Sequence, residues 1–143
     1  MPPRSLILVS ALALASIAPA SLQPDPRLLV RAADQAVERD GGDEALAEWE
    51  ARVRAAPEDR AAHLALATIA RRRYDYQLAV REYDLATGAL PERDRLAGQA
   101  RLGMGEALAA RGLFVNAAPH YEAARAIGAA AGDSALQVEA MIA

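Results

Sequence analysis

The residues able to do chemistry in this chain are few. There are two histidines, His63 and His120, no cysteine, and one run of three consecutive arginines, Arg71-Arg72-Arg73. Without cysteine there is no disulfide, no thiol nucleophile and no thiolate-bound metal. Neither histidine belongs to an H-E-x-x-H pattern, and no glycine-rich loop of the phosphate-cradling kind is present. Gly103-Met104-Gly105 is too short for such a loop and falls inside a helical stretch. The G-x-S-x-G and S-x-x-K patterns of serine nucleophiles are missing as well. The expectation is a non-catalytic protein with no cofactor and no bound metal. The arginine run admits two readings. Its cations complement the negative end of a helix, or one or two of them grip an acidic or C-terminal peptide group.

Charge bounds the partners. The formal net charge is −3, both signs are mixed along the chain, and every basic residue is arginine. Such a pattern leaves no electrostatic footprint for nucleic acid or an anionic membrane surface. The first 20 residues are unlike the rest: Arg4 precedes an uncharged run from Leu6 to Ala18, which ends in Ala18-Pro19-Ala20 before Ser21. That is the layout of a secretory signal peptide with cleavage near Ala20, and the run is short for a permanent membrane span. The expected mature chain is therefore periplasmic or secreted, with no stable membrane insertion after cleavage.

The elements that would position these residues are helices. Alanine, the best helix former, dominates, and no alternating β-branched stretch reads as a strand, so the class is all-α. Asp25-Pro26 opens a first helix that Asp40-Gly41-Gly42 stops near Arg39. Asp43 caps a second, carrying Leu46, Trp49 and Val53, which Pro57 ends. A third runs from about Asp59 to Arg72 with His63, Leu64, Leu66, Ile69 and Ala70 as candidate core. A fourth, Asp75 to Thr87, carries Leu78, Ala79, Tyr83 and Ala86. A longer fifth begins near Glu92 and reaches Arg111. Pro119 is tolerated only in a first turn, which starts the sixth near Val115 or Asn116, with Tyr121, Ala124 and Ile127 facing inward. Asp133 caps a seventh segment running to Ala143.

The second, fourth and sixth helices share a pattern. Ala45, Trp49 and Pro57 recur 34 residues later as Ala79, Tyr83 and Pro91, and Ala117 and Tyr121 follow after a further 38. The four additional residues amount to about one helical turn, which returns later side chains to nearly the same face. A period of this length marks stacked helix pairs. The residues resemble the tetratricopeptide repeat, in which W-x2-L-G-x2-Y lies on the first helix and A-x3-F followed by P on the second. The second repeat of this chain has His63-x2-Leu66-Ala67-x2-Ala70, then Ala79-x3-Tyr83 and Pro91. The third has Met104-Gly105-x2-Leu108, then Ala117-x3-Tyr121. The first has Ala32-Ala33-x2-Ala36, then Ala45-x3-Trp49 and Pro57, and its first-helix positions are degenerate.

The resemblance implies an α-solenoid of three helical hairpins (about 26–59, 60–93 and 94–131) plus an unpaired helix at 133–143, within a repeat domain spanning 21–143. Ala33, Ala67 and Gly105, with Ala45, Ala79 and Ala117, would be small where helices cross closely. Trp49, Tyr83 and Tyr121 would fill the space between hairpins, and Tyr76 and Phe114 form another matched aromatic pair. His63 falls at an aromatic packing position, which favours a core role. The positions of the clamp that holds chaperone tails correspond to Val30, Asp34, Ala65, Gln99 and Gly103, so that clamp is absent. The concave groove is expected to expose Asp34, Leu64, Thr68, Arg71, Gln99, Leu102 and Glu106, with Arg72 beside them. Function is then expected to be scaffolding: a protein or peptide held in this groove. The alternatives are a regulatory front part of a larger signalling or enzymatic protein, or a module that self-associates through the seventh helix. That helix carries few polar residues, which suits an interrupted array better than a terminal cap.

Overall fold

Five aspartates set where helices begin. Asp25, Asp59, Asp75, Asp94 and Asp133 each accept a hydrogen bond from a backbone N–H of the turn they precede, and each such cap stabilises its helix by about 1 kcal/mol. A computed structural model describes residues 25–88 and 93–143. Over these residues the chain is all-helical: α1 (Pro26–Asp40), α2 (Asp43–Ala55), α3 (Arg60–Arg72), α4 (Tyr76–Thr87), α5 (Arg95–Ala110), α6 (Phe114–Ala131) and α7 (Ser134–Ile142). The proposed signal segment, residues 1–20, and Pro91 lie outside the described residues. No described helix is long and apolar enough to cross a membrane.

Three starts differ from expectation. Gly42, not Asp43, is the N-cap of α2 and supplies no side-chain bond; Asp40 instead accepts from the Gly42 N–H at 2.9 Å. Helix α5 starts at Arg95 because the Asp94 carboxylate accepts from both Leu96 and Ala97. Helix α6 starts at Phe114, which places Pro119 beyond the first turn and costs one intrahelical bond. Pro119 and Val115, whose carbonyl loses that partner, are both exposed, so water can take the bond's place.

Neighbouring helices in the chain pack on each other, and the odd-numbered helices also touch: α1 on α3, α3 on α5, α5 on α7. Helix α3 is the hub, with every residue from Ala62 to Ala70 buried. The main core joins Leu64 and Ala67 of α3, Ala79, Tyr83 and Ala86 of α4, and Leu96, Ala100 and Met104 of α5. A second cluster joins Leu102, Ala124, Leu136 and Ala140 across α5, α6 and α7.

The glycines of α5 explain how alanine-rich helices stay close-packed. A Cβ at Gly103 would collide with the Tyr83 ring from α4, and one at Gly98 with Leu136 from α7. At Gly105 it would lie 2.6 Å from Tyr121 Cε1 of α6. Each glycine is thus a socket for one large side chain from a different neighbour. The usual penalty of about 0.5–1 kcal/mol for a helical glycine is offset by burying a ring or branched side chain, worth about 1.5–3 kcal/mol.

Helix α2 departs from the expected packing. It has no buried residue, so Ala45 is only half-buried, and Trp49 is half-buried beneath the Arg52 guanidinium, 4.8 Å from its centroid. The reason is that α1 lies more against α3 than against α2, which leaves α2 little to pack into. The pair Tyr76 and Phe114 is not equivalent either: Tyr76 packs on the core, whereas Phe114 is 68% exposed.

Candidate functional site

Helix α3 ends in the arginine run, and each arginine leaves in a different direction. Arg71 Nε donates to the Tyr83 hydroxyl at 3.2 Å, and its Nη1 lies 3.1 Å from Glu106 of α5. Arg72 turns to α1, where Nη2 donates to Glu38 at 3.1 Å. Its Nε stands 3.2 Å from Asp34 Oδ1, an ion-pair distance off the line of a hydrogen bond. Arg73 donates to the Gly41 carbonyl and to Asp43 at the start of α2. The run therefore ties α1, α2, α4 and α5 to the end of α3. It is more than a counter-charge for a helix terminus, and none of its members is an unengaged cation.

Burial opposes the Arg71 charge, but Tyr83, Glu106 and Asp34 outweigh it and hold the guanidinium protonated above its ordinary range. Burial pushes the Glu106 carboxyl up, Asp34 and Glu139 push it further, and Arg71 and Arg72 only partly compensate. Tyr83, buried beneath Arg71, is raised by burial against the pull of Arg71 and of its hydrogen bond to Thr68.

Between these groups lies a cleft of about 150 Å³, lined by Arg71, Arg72, Tyr74, Tyr76, Glu106 and Ala110. A more open depression of about 390 Å³ adjoins it across Arg72, bounded by Val37, Gly41, Asp43 and Arg73. Of the residues expected to face a partner, Asp34, Arg71, Arg72 and Glu106 come together here. Leu64, Thr68, Gln99 and Leu102 do not. They are 0%, 0%, 7% and 7% exposed. Leu64 belongs to the main core, the Thr68 hydroxyl bonds back to the Leu64 carbonyl at 2.8 Å, and Leu102 belongs to the second cluster. The physical reason is the close approach of the odd helices: α1 touches α5 as well as α3, so the surface they would share as a groove is mostly core. Tyr74 and Tyr76, by contrast, line the cleft without having been assigned to it. Their signal in the sequence was available, since two tyrosines flank Asp75 directly after the arginines.

A second charge cluster joins the N-terminal ends of α1, α5 and α7. Arg27 of α1 donates to Asp133, the N-cap of α7, and Arg95 of α5 lies 3.9 Å from the same carboxylate. Burial alone would raise the Asp133 carboxyl, yet the Leu136 N–H, Arg27 and Arg95 together hold it below the ordinary carboxylate range.

Neither histidine heads a reactive constellation. His63 is 3% exposed, with Nδ1 2.7 Å from Glu82 Oε2 and Nε2 2.8 Å from the Pro57 carbonyl oxygen. Arg81 Nη2 reaches the other Glu82 oxygen at 2.9 Å, so the group is satisfied and sealed from solvent. His120 is lowered by burial and by Arg101, whose Nη1 is 3.2 Å from Nδ1. No group of three or more histidine and carboxylate side chains able to hold a metal occurs among the described residues. Comparison with protein-family models, curated proteins and solved structures finds no match to this chain.

Proposed function

We propose that this chain is a non-catalytic interaction scaffold, a tetratricopeptide-like stack of helical hairpins that holds a protein or peptide, and that it works outside the cytoplasm after loss of residues 1–20. The observation that carries the reading is the Arg71–Glu106 end of the stack. Side chains from α1, α3, α4 and α5 converge there on a cleft whose charges are fixed by mutual ion pairs. Preformed side chains lose little freedom on binding, which is how a rigid surface gains affinity. The binding face is smaller than a groove running the length of the odd helices.

Site-specific photo-crosslinking in the native envelope fraction tests this. A cross-linker at Glu38, an exposed partner of the cleft-lining Arg72, is expected to give one discrete adduct that can be identified and rebuilt from purified components. The same cross-linker at Glu122, exposed on α6, is expected to give none. No adduct from Glu38, or equal adducts from both positions, overturns the reading. Mass spectrometry of the mature protein should find an N-terminus near Ser21; a retained Met1 removes the export proposal.

A second reading has its own observation. The outer face of α7 exposes Val138 (55%), Met141 (71%) and Ile142 (81%), which suits self-association or a further element of the same array. Light scattering on the purified chain separates these outcomes, since a strictly monomeric species removes self-association.

A further inference from the structure

Three of the turns that join helices have the same hydrogen bonds and different residues. After α3, Tyr74 N–H donates to the Arg71 carbonyl at 3.0 Å and Asp75 N–H to Ala70 at 2.9 Å. After α5, Gly112 and Leu113 make the corresponding bonds to Ala109 and Leu108 at 2.8 and 3.0 Å, and after α6, Gly132 and Asp133 do so at 3.3 and 2.8 Å. This closing turn needs a left-handed residue, which glycine supplies freely and other residues only at a cost. Gly112 and Gly132 have φ of 76° and 67°, whereas the turn after α3 places Tyr74 at φ 66°, where it is the one non-glycine residue of positive φ among those described. Its ring gains little from the fold in return, being 78% exposed. Strain kept where a glycine would relieve it points to a use for the side chain.

That side chain borders the cleft. The Tyr74 and Tyr76 rings meet edge to face, with centroids 6.3 Å apart and planes at 82°. In such a pair the ring that offers its edge keeps its own faces open to a further contact. The cleft wall itself carries Arg71, Arg72 and one carboxylate, Glu106. Both arginines are held in ion pairs, Arg71 with Glu106 and Arg72 with Asp34 and Glu38. With Asp34 and Glu139 also acting on Glu106, three carboxylates stand against these two arginines. The Glu106 side chain is 35% exposed, so it is reachable from the cleft. A volume of about 150 Å³ is below the roughly 300–1,000 Å³ of small-molecule pockets and suits one side-chain head group.

We propose that the cleft between Tyr74, Tyr76 and Glu106 receives a cationic side chain, arginine or lysine, from the partner. The tyrosine faces supply the attraction of an aromatic quadrupole for a cation, and Glu106 supplies the counter-charge. An incoming cation also relieves the repulsion that Asp34 and Glu139 exert on Glu106. This names the partner chemistry of the scaffold reading and rests on it.

The test is a titration of the isotope-labelled chain, followed by backbone amide shifts, with capped short peptides centred on arginine, on citrulline or on glutamate. The arginine peptide is expected to move the Tyr74, Tyr76 and Ala110 signals in a saturable manner that weakens as salt is added. The citrulline and glutamate peptides should leave them in place. Tyr74→Gly is expected to raise the melting temperature by relieving the turn while weakening arginine-peptide binding about five- to tenfold. Glu106→Gln should weaken it without unfolding the chain. Equal shifts with citrulline, preference for glutamate, or unchanged affinity in Tyr74→Gly each overturn the proposal. An adduct from Glu38 with no arginine response sinks the cleft assignment alone, and loss of both signals sinks the scaffold reading with it.

Discussion

Tyr83 illustrates how one side chain can serve two layers of the structure. Its ring fills the gap over Gly103, and its hydroxyl accepts from Arg71 and donates to Thr68 at 3.4 Å. Tyr83→Ala removes both and is expected to cost roughly 3–5 kcal/mol by thermal or urea melting. Tyr83→Phe keeps the ring and should cost only about 1–2 kcal/mol, although it releases Arg71 toward Glu106. A loss in the phenylalanine variant as large as in the alanine variant would show that the polar contacts, not packing, dominate. The spacing of aromatic residues in the sequence located this residue correctly. It could not distinguish Tyr83 from Trp49, because both occupy the same place in the pattern and differ only in whether a neighbouring helix supplies a socket. His63 was likewise legible as core, whereas its partner Glu82, 19 residues on, carried no pattern that marked it as buried. His63→Ala removes this hydrogen bond from Glu82, which keeps Arg81, and should cost about 1–3 kcal/mol, measured by urea unfolding at neutral pH.

At the level of elements, the caps at Asp25 and Asp133 were legible, since an aspartate before an apolar period has a short-range mechanism, whereas Asp43 is not a cap and Asp94, which is one, had not been singled out. Asp133 adds a long-range mechanism, because the carboxylate that caps α7 also pairs with Arg27 of α1. Its folded pKa is depressed, so its contribution is present above about pH 4, the ordinary aspartate value, and is lost as pH falls through the lower folded value. Asp133→Asn retains a capping oxygen and removes the charge. The expected result is a loss of about 1 kcal/mol at neutral pH, limited by solvent screening around the partly exposed Arg27. The difference between variant and parent should shrink toward zero on the acid side. A difference that stays constant with pH would assign the whole effect to the cap. The start of α6 was misplaced for the complementary reason. Avoidance of proline in a helix interior is a statistical cost of one hydrogen bond, and exposed Pro119 and Val115 let water meet it.

Across the whole molecule, α7 covers the last of the core. Leu136 is fully buried over Gly98, and with Ala140 it closes the cluster formed with Leu102 and Ala124. Deleting residues 133–143 should expose that cluster, lower the urea midpoint and create binding for a hydrophobic dye. Leu136→Ala should reproduce about 2–5 kcal/mol of the loss. Unchanged melting in the deletion would mean that α7 is dispensable for the fold. Periodicity, aspartate caps and glycine stops act over a few residues, so the helical class, the order of the seven described helices and several of their boundaries were legible without any tertiary contact. Which positions face solvent depended instead on contacts between distant helices. Leu64, Thr68, Gln99 and Leu102 fall where the resemblance implies a groove, yet α1 and α5 meet across α3 and bury them. The surface that remains is the charged, tyrosine-edged cleft at one end. Its location depends on how the helices pack on one another, a sum of small packing differences that no short stretch of residues carries.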